Sequence, residues 1–247
     1  MDAISTQRLR KDVMAWLPNK TKHQHICKMD IKQAKAYKSM LEDFFVKQGD
    51  TEVDTENVLS QLMRLRQITL DPILIGLDTP SAKTDALLEA IEENVYAADS
   101  EPIIIMSMFT SYLKQIKPMI EKLGKRVRMI TGEMSNNEKN ENAKAFQRGD
   151  VDVLLCNIIS AGTGFTLDRG EVIIFTDKAW NPSDNEQAED RVTPTTKEQN
   201  HKHFIVSMVC ENTIDQKIEA LLENKENLTS VINQCKSIAE LKRYLLS

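Results

Sequence analysis

At 247 residues and 41% apolar content, the chain is long enough for one large domain or two small ones, with the composition of a soluble globular protein. Its 32 Lys and Arg stand against 37 Asp and Glu, a net charge of -5. That balance excludes a protein coating DNA by bulk charge and confines any nucleic-acid contact to local patches.

Before Asp99, apolar residues recur at helical spacing: Ala34, Tyr37, Leu41, Phe44 and Phe45, then Val58, Leu62, Leu65 and Ile68, then Leu87, Leu88, Ile91 and Val95. The pattern predicts three amphipathic helices. Asp30, followed by Gln33, stands where the first helix needs a cap, and the polar run 48–56 separates the first two. Asp71-Pro72 and Thr79-Pro80 break the chain beyond them.

After Asp99, short apolar runs alternate with helical segments, which is the pattern of βαβ units around a parallel sheet. Strands are predicted at 103–106, 127–130, 151–156, 172–175 and 204–209. Tyr112, Leu113, Ile116, Ile120 and Leu123 mark a crossover helix, and Ser135 with Glu138 makes a capping box for another. Ser183 with Glu186 reads as a second box, opening a short helix that carries Gln187 and Arg191. Past the last strand, Asn212 or Thr213 caps a helix with Ile214, Ile218, Leu221 and Leu222 on one face.

In an open parallel sheet, ligands bind where the strands end, because strand-to-helix loops and helix N-termini bring free N–H groups together there. The loops to inspect follow Met106, Ile130, Cys156 and Phe175. The third holds Gly162 and Gly164, whose missing side chains let backbone amides approach a phosphate closely. Ordinary turns use glycine in the same way, so the pair gains meaning only from its neighbours.

Those neighbours form an ordered set. Ser107, Met108 and Phe109 end one strand; Thr131 and Gly132 follow the next; then come Ser160, Ala161, Gly162, Thr163 and Gly164, then Trp180, Asn181 and Pro182, then Gln187, Ala188, Glu189, Asp190 and Arg191. From Ile103 onward the sequence resembles the C-terminal RecA-like lobe of superfamily 2 helicases of the Swi/Snf type. That family carries Phe-Ser-Gln-Phe, Asp-Gly or Thr-Gly, Ala-Gly-Gly-x-Gly, Trp-Asn-Pro and Gln-Ala-x-Asp-Arg elements in the same order. Glu211, Asn212, Thr213, Ile214 and the residues after them resemble its bracing helix. Upstream, residues 9–18, LRKDVMAWLP, with Lys20 are similar to the segment leaving the family's first lobe. Residues 62–72, LMRLRQITLDP, are similar to its Leu-Arg-Gln helix, and Ser81, Ala82 and Lys83 stand for Ser-Gly-Lys.

The resemblance implies an α/β fold with a RecA-like parallel sheet flanked by helices. Residues 1–98 would form an inter-lobe segment and helical protrusion, and 99–247 the helicase C-terminal lobe with its bracing helix. It also implies one half of a DNA-dependent ATPase or translocase. The cofactors, ATP and Mg, sit on a first lobe with a phosphate-cradling loop and an acidic pair, and this sequence shows neither Gly-x-x-x-x-Gly-Lys-Ser/Thr nor Asp-Glu-x-His. The isolated chain is therefore expected to be inactive without an N-terminal lobe, on the same or a separate chain. Arg191 matches the first arginine-finger position, and Gly162, Gly164 and Gln187 the nucleotide side of the cleft. Where the family has a second finger, this chain has Thr193, Pro194, Thr195, Thr196 and Lys197. Proline ends a helix and a lysine point charge does not reproduce a guanidinium fork. Ser107, Thr131 and Asn157 match positions over the backbone of duplex DNA; each residue type also caps turns.

Other features have plainer readings. Arg191 beside Glu186 and Asp190 is also the makings of a surface ion pair. Trp180 suits packing, Lys122, Lys125, Arg126 and Arg128 suit a solvated helix end, and the methionines suit core filling. His23, His25, His201 and His203 lack partners at ligand spacing, so no metal site is expected. Cys27, Cys156, Cys210 and Cys235 are far apart, which favours reduced thiols over zinc or disulfides. No run approaches the ~18 apolar residues of a membrane span, and no leader is evident, so a cytoplasmic protein of bacterial or phage type is expected. The alternative to a motor lobe is a catalytically degenerate DNA- or protein-binding scaffold.

Overall fold

The computed structural model describes residues 21–48, 55–93, 101–161, 166–192 and 204–235, with 237, 240, 241 and 244. In chain order the elements are β1 (Thr21–Cys27), α1 (Ile31–Gln48), α2 (Thr55–Leu70), a 3₁₀ turn (Pro72–Ile75), α3 (Ala82–Glu92), β2 (Ile103–Ser107), α4 (Thr110–Lys122), β3 (Val127–Ile130) and α5 (Asn136–Arg148). They continue with β4 (Val153–Asn157), α6 (Ile158–Ala161), β5 (Val172–Phe175), α7 (Pro182–Val192), β6 (Phe204–Cys210), α8 (Ile214–Glu223) and α9 (Leu228–Gln234).

The strands β2, β4 and β5 are buried along their whole length, as central strands covered on both faces must be. All pairings are parallel, and the order across the sheet is β1-β6-β5-β2-β4-β3. Because side chains alternate along a strand, Ile103, Ile105, Val153, Leu155, Val172 and Ile174 pack on one face with Tyr112, Leu113 and Ile116 of α4. Ile104, Met106, Leu154, Cys156, Ile173 and Phe175 pack on the other with Phe146 of α5 and Ala188 and Val192 of α7. A third cluster joins Tyr37 of α1, Val58, Leu62, Leu65 and Ile68 of α2, and Ile214, Ile218 and Leu221 of α8.

The five strands expected after Asp99 are present, with β4 starting at Val153 rather than 151. One strand was not expected. Segment β1, TKHQHIC, is exposed over most of its length and lies at the sheet edge beside β6, so it carries no apolar run to announce it. The alternation of His23 and His25 was its only trace.

The helix caps match the expected residues in part. Ser135 and Glu138 form the expected reciprocal box, and Thr213, not Asn212, caps α8 by accepting from the Asp215 amide at 3.2 Å. Asp30 accepts from the Gln33 amide at 2.7 Å, but the Gln33 side chain turns inward to reach the Ile68 carbonyl and the Ala82 amide. The box expected at Ser183 is replaced: α7 starts at Pro182, two residues earlier than that cap would place it, and the Asn181 side chain accepts from the Ser183 amide at 3.2 Å. Proline suits the first helical position because its missing N–H would have no partner there.

Candidate functional site

Ser107, Asn157 and Thr131 close the neighbouring strands β2, β4 and β3 at their carboxyl ends. Ser107 and Asn157 are register partners, and Thr131 follows Ile130, which pairs with Cys156. All three are buried. Asn157 Nδ2 donates to the Met108 carbonyl at 2.9 Å and to Thr110 Oγ1 at 3.3 Å, while its Oδ1 accepts from the Ser160 amide at 3.3 Å. It thereby pins the loop after β2 to α6. The Ser107 hydroxyl donates to the Asp177 carboxylate and accepts from the Phe109 amide at 3.0 Å. The Ser107 and Asn157 side chains thus bond within the loops, while Thr110, Gly132 and Ile159 beside them are more exposed.

Helix α7 is fixed on several sides. Asn185 makes a two-way bond with Ala179, accepting from its amide at 2.8 Å and donating to its carbonyl at 2.9 Å. Glu189, itself buried, pairs with Lys22 of β1 at 2.9 Å. Asn185, Ala188, Glu189 and Val192 are the buried positions, so Gln187 and Arg191, one turn apart, share a different face. Gln187 is exposed and Arg191 half-buried. The Leu167 amide donates to the Arg191 carbonyl at 2.8 Å, and α6 packs on α7. Both flanks of the glycine loop therefore lie against the helix that carries Arg191. Gly162 and Gly164 lie outside the described residues, as do Thr193, Pro194, Lys197, His201, His203 and the segment 9–20.

Just past β5, a buried polar hub that sequence reasoning missed organises the same edge. Arg66, on α2, donates to Asp177 Oδ2 at 3.2 Å and to the Lys178 carbonyl. Its guanidinium lies over the Phe109 and Trp180 rings at 5.8 and 5.6 Å, within the range of cation–π attraction. Asp177 also accepts from the Met108 amide at 3.1 Å. Burial pushes the Asp177 carboxyl above the usual carboxylate range, against the pull of Arg66, Ser107, Lys83 and the Met108 amide. Among the described residues, Arg66 Nε and Trp180 Nε1 are buried without a hydrogen-bond partner. A buried unsatisfied donor costs about 1–3 kcal/mol.

A second buried pair stands nearby. Lys83 donates to the Thr176 carbonyl at 2.7 Å and pairs with Asp215 at 2.6 Å. Asp215 accepts from Thr69 Oγ1 at 2.9 Å and from the Cys210 amide at 3.2 Å. Desolvation, the largest single influence on Lys83, pulls its pKa down, but Asp215, Cys210 and Asp177 together hold it above the ordinary lysine value. The signal that would have found both cations was their place in apolar helix patterns: Arg66 follows Leu62 by one turn, on the face that packs inward.

The Arg126 pair, by contrast, is peripheral. Arg126 forks onto Asp152, at 2.5 and 3.0 Å, and onto the Gly149 carbonyl. Both residues precede the first residues of β3 and β4, at the sheet end away from the site. Trp180 packs against the helical cluster of α1, α2 and α8.

Residues 82–193 match the helicase conserved C-terminal domain family, and residues 2–74 match the SNF2-related domain family. The chain is 28% identical over 243 residues to a putative ATP-dependent helicase/translocase, YwqA, of Bacillus subtilis, covering 94% of this chain and 26% of that protein. It is 27% identical over 159 residues to the ATP-dependent helicase FUN30 of Saccharomyces cerevisiae, covering 63% of this chain and 14% of that one. The chain thus spans about a quarter or less of these relatives' length. Among solved structures, the Sulfolobus solfataricus SWI2/SNF2 ATPase core in complex with dsDNA superposes with a TM-score of 0.75 at 27% identity, covering 92% of this chain and 50% of that one. The C-terminal domain of the SWI2/SNF2 ATPase from the same organism shares the fold, with a TM-score of 0.69 at 24% identity over 91% of this chain and 94% of that one. The motif order, the all-parallel sheet and these matches agree: the chain belongs to the Swi2/Snf2 family of helicases and ATPases.

Proposed function

We propose that this chain works as the C-terminal lobe of a DNA-dependent ATPase or translocase. It supplies Arg191 as an arginine finger and its strand-end loops as contacts to a duplex backbone. The observation that carries this reading is the bond from the Leu167 amide to the Arg191 carbonyl, which ties the far flank of the glycine loop to the finger helix. Gln187 and Arg191 are polar and cationic and lie on one accessible face, which suits the polyphosphate of ATP rather than Mg. ATP and Mg would be held by the phosphate loop and acidic pair of a first lobe, on this or another chain, and this chain alone would not turn over. In that division, residues 1–98 supply the linker and protrusion and 99–247 the bulk of the motor lobe, with β1 (Thr21–Cys27) joining the lobe's sheet beside β6.

A guanidinium stabilises the charge on a transferring phosphoryl group without needing a proton to move. Ser107, Thr131 and Asn157 act by holding loops 107–110, 131–134 and 157–161 in shape, so that amides and hydroxyls face the backbone. A catalytically degenerate scaffold is the second reading, favoured by Pro194 where the family carries another arginine.

DNA-stimulated ATP hydrolysis, measured with the chain joined to a first lobe, separates the two. The motor reading expects stimulation that Arg191→Ala abolishes. Duplex binding with no stimulation under any condition supports the scaffold.

A further inference from the structure

We propose that Arg66 is a positioning residue that couples the DNA-side loop after β2 to the finger helix α7. This inference rests on the motor reading above.

The geometry is a chain of contacts through one carboxylate. Asp177 receives Ser107 Oγ and the Met108 amide from the β2 side. From the opposite side it receives Arg66, which also grips the Lys178 carbonyl. Residues 178–181 run directly into α7, whose start is fixed by Asn181 and Asn185. A shift of loop 107–109 therefore moves Asp177, and the Arg66 fork carries that shift to Lys178 and Trp180. Arg66 comes from α2, outside the βα units, whose Leu62, Leu65 and Ile68 are anchored in the separate cluster with α1 and α8, so it can serve as a post between the two loops.

Trp180 reports on the coupling. The sequence has 2 tryptophans, so in a Trp16→Phe background only Trp180 emits, under the Arg66 guanidinium. The chain is titrated with end-labelled duplex DNA, with binding followed by anisotropy and Trp180 followed by emission. In the Trp16→Phe parent, binding is expected to shift the emission. In Arg66→Met, DNA still binds and the shift is lost. Arg66→Lys keeps the charge but cannot fork, and shows a reduced shift.

Since Arg66→Met leaves Asp177 buried and unpaired, Arg66→Met/Asp177→Asn is the companion variant, neutral and near-isosteric, and it too must bind without the shift. Circular dichroism confirms folding. A full Trp180 shift in either folded variant overturns the coupling. Binding by the parent with no shift at all overturns the coupling and leaves the motor reading standing. No duplex binding by the parent removes both.

Discussion

The Leu167 amide and the Arg191 carbonyl are joined by a hydrogen bond of 2.8 Å. The bond is between backbones, so it survives truncation of the arginine. Arg191→Ala is expected to change stability by about 1 kcal/mol or less, while lowering DNA-stimulated ATPase, in the two-lobe assembly, by ~10³. Urea unfolding and steady-state hydrolysis measure the two quantities separately. A large loss of both would mean that the side chain holds the helix rather than serving the nucleotide.

Asn157 makes a different kind of contribution. Its amide bridges the loop after β2 to α6, and removing it strands buried partners, at a cost of about 1–3 kcal/mol. Asn157→Ala is expected to weaken duplex binding without altering the slope of log affinity against log salt, because no cation is lost. A shallower slope would contradict this account of how the loop works.

The Lys83–Asp215 pair is buried on both sides, at 1% and 8% side-chain exposure. Lys83→Met leaves an uncompensated carboxylate and should destabilise by about 3–5 kcal/mol. Lys83→Met/Asp215→Asn should recover much of that loss in thermal or urea unfolding. Equal loss in the single and double variants would show that packing, not charge, sets the cost.

Alkaline pH tests the same region. Burial pushes the Cys27 thiol from 9.0 up to about 11, helped by Asp215 and opposed by Lys83. The folded state keeps a proton that the unfolded chain gives up, so this stability is fully present below pH 9.0 and is lost as pH rises through about 11, at up to ~1.4 kcal/mol per pH unit. Lys83, also raised when folded, extends the loss to higher pH. Cys27→Ala should lessen the decline over the thiol's window in unfolding curves taken across that range, the buried Cys156 and Cys210 thiols, also raised by burial, supplying the rest. An unchanged decline would assign it to other groups.

Gly170 sits where a Cβ would meet Ile104 Cδ1 at 2.4 Å and Val192 Cγ1 at 3.0 Å. Gly170→Ala must push apart the sheet and the last turn of α7, costing about 1–3 kcal/mol. Because Val192 adjoins Arg191, hydrolysis should fall in the folded variant as well. A stable variant with full activity would show that the helix end adapts freely.

Most of the sheet was legible because parallel central strands are continuously apolar, as in the run IIIMS of β2. Strand β1 was not, since an edge strand with solvent on its faces gains little from apolar residues and TKHQHIC has few. Helix α7 was legible through its motif, but its start was misplaced: Asn181 and Pro182 stand at the start that Ser183 and Glu186 were expected to make. Arg66 and Lys83 showed a matching motif without a role. A charged side chain on an inward helix face discloses its position but not its partner, because Asp177 and Asp215 lie more than a hundred residues away along the chain.

The two buried cations come from helices before Asp99, and the two carboxylates they neutralise come from segments after it. The change of pattern at Asp99 is therefore no seam. Severed there, the later segment would keep Asp177 and Asp215 in an apolar setting with their countercharges gone, and the earlier helices would lose the surface they lie on. The line that is easiest to draw on the sequence is crossed by two buried ion pairs and a strand pairing, so the chain is expected to fold and unfold as one body.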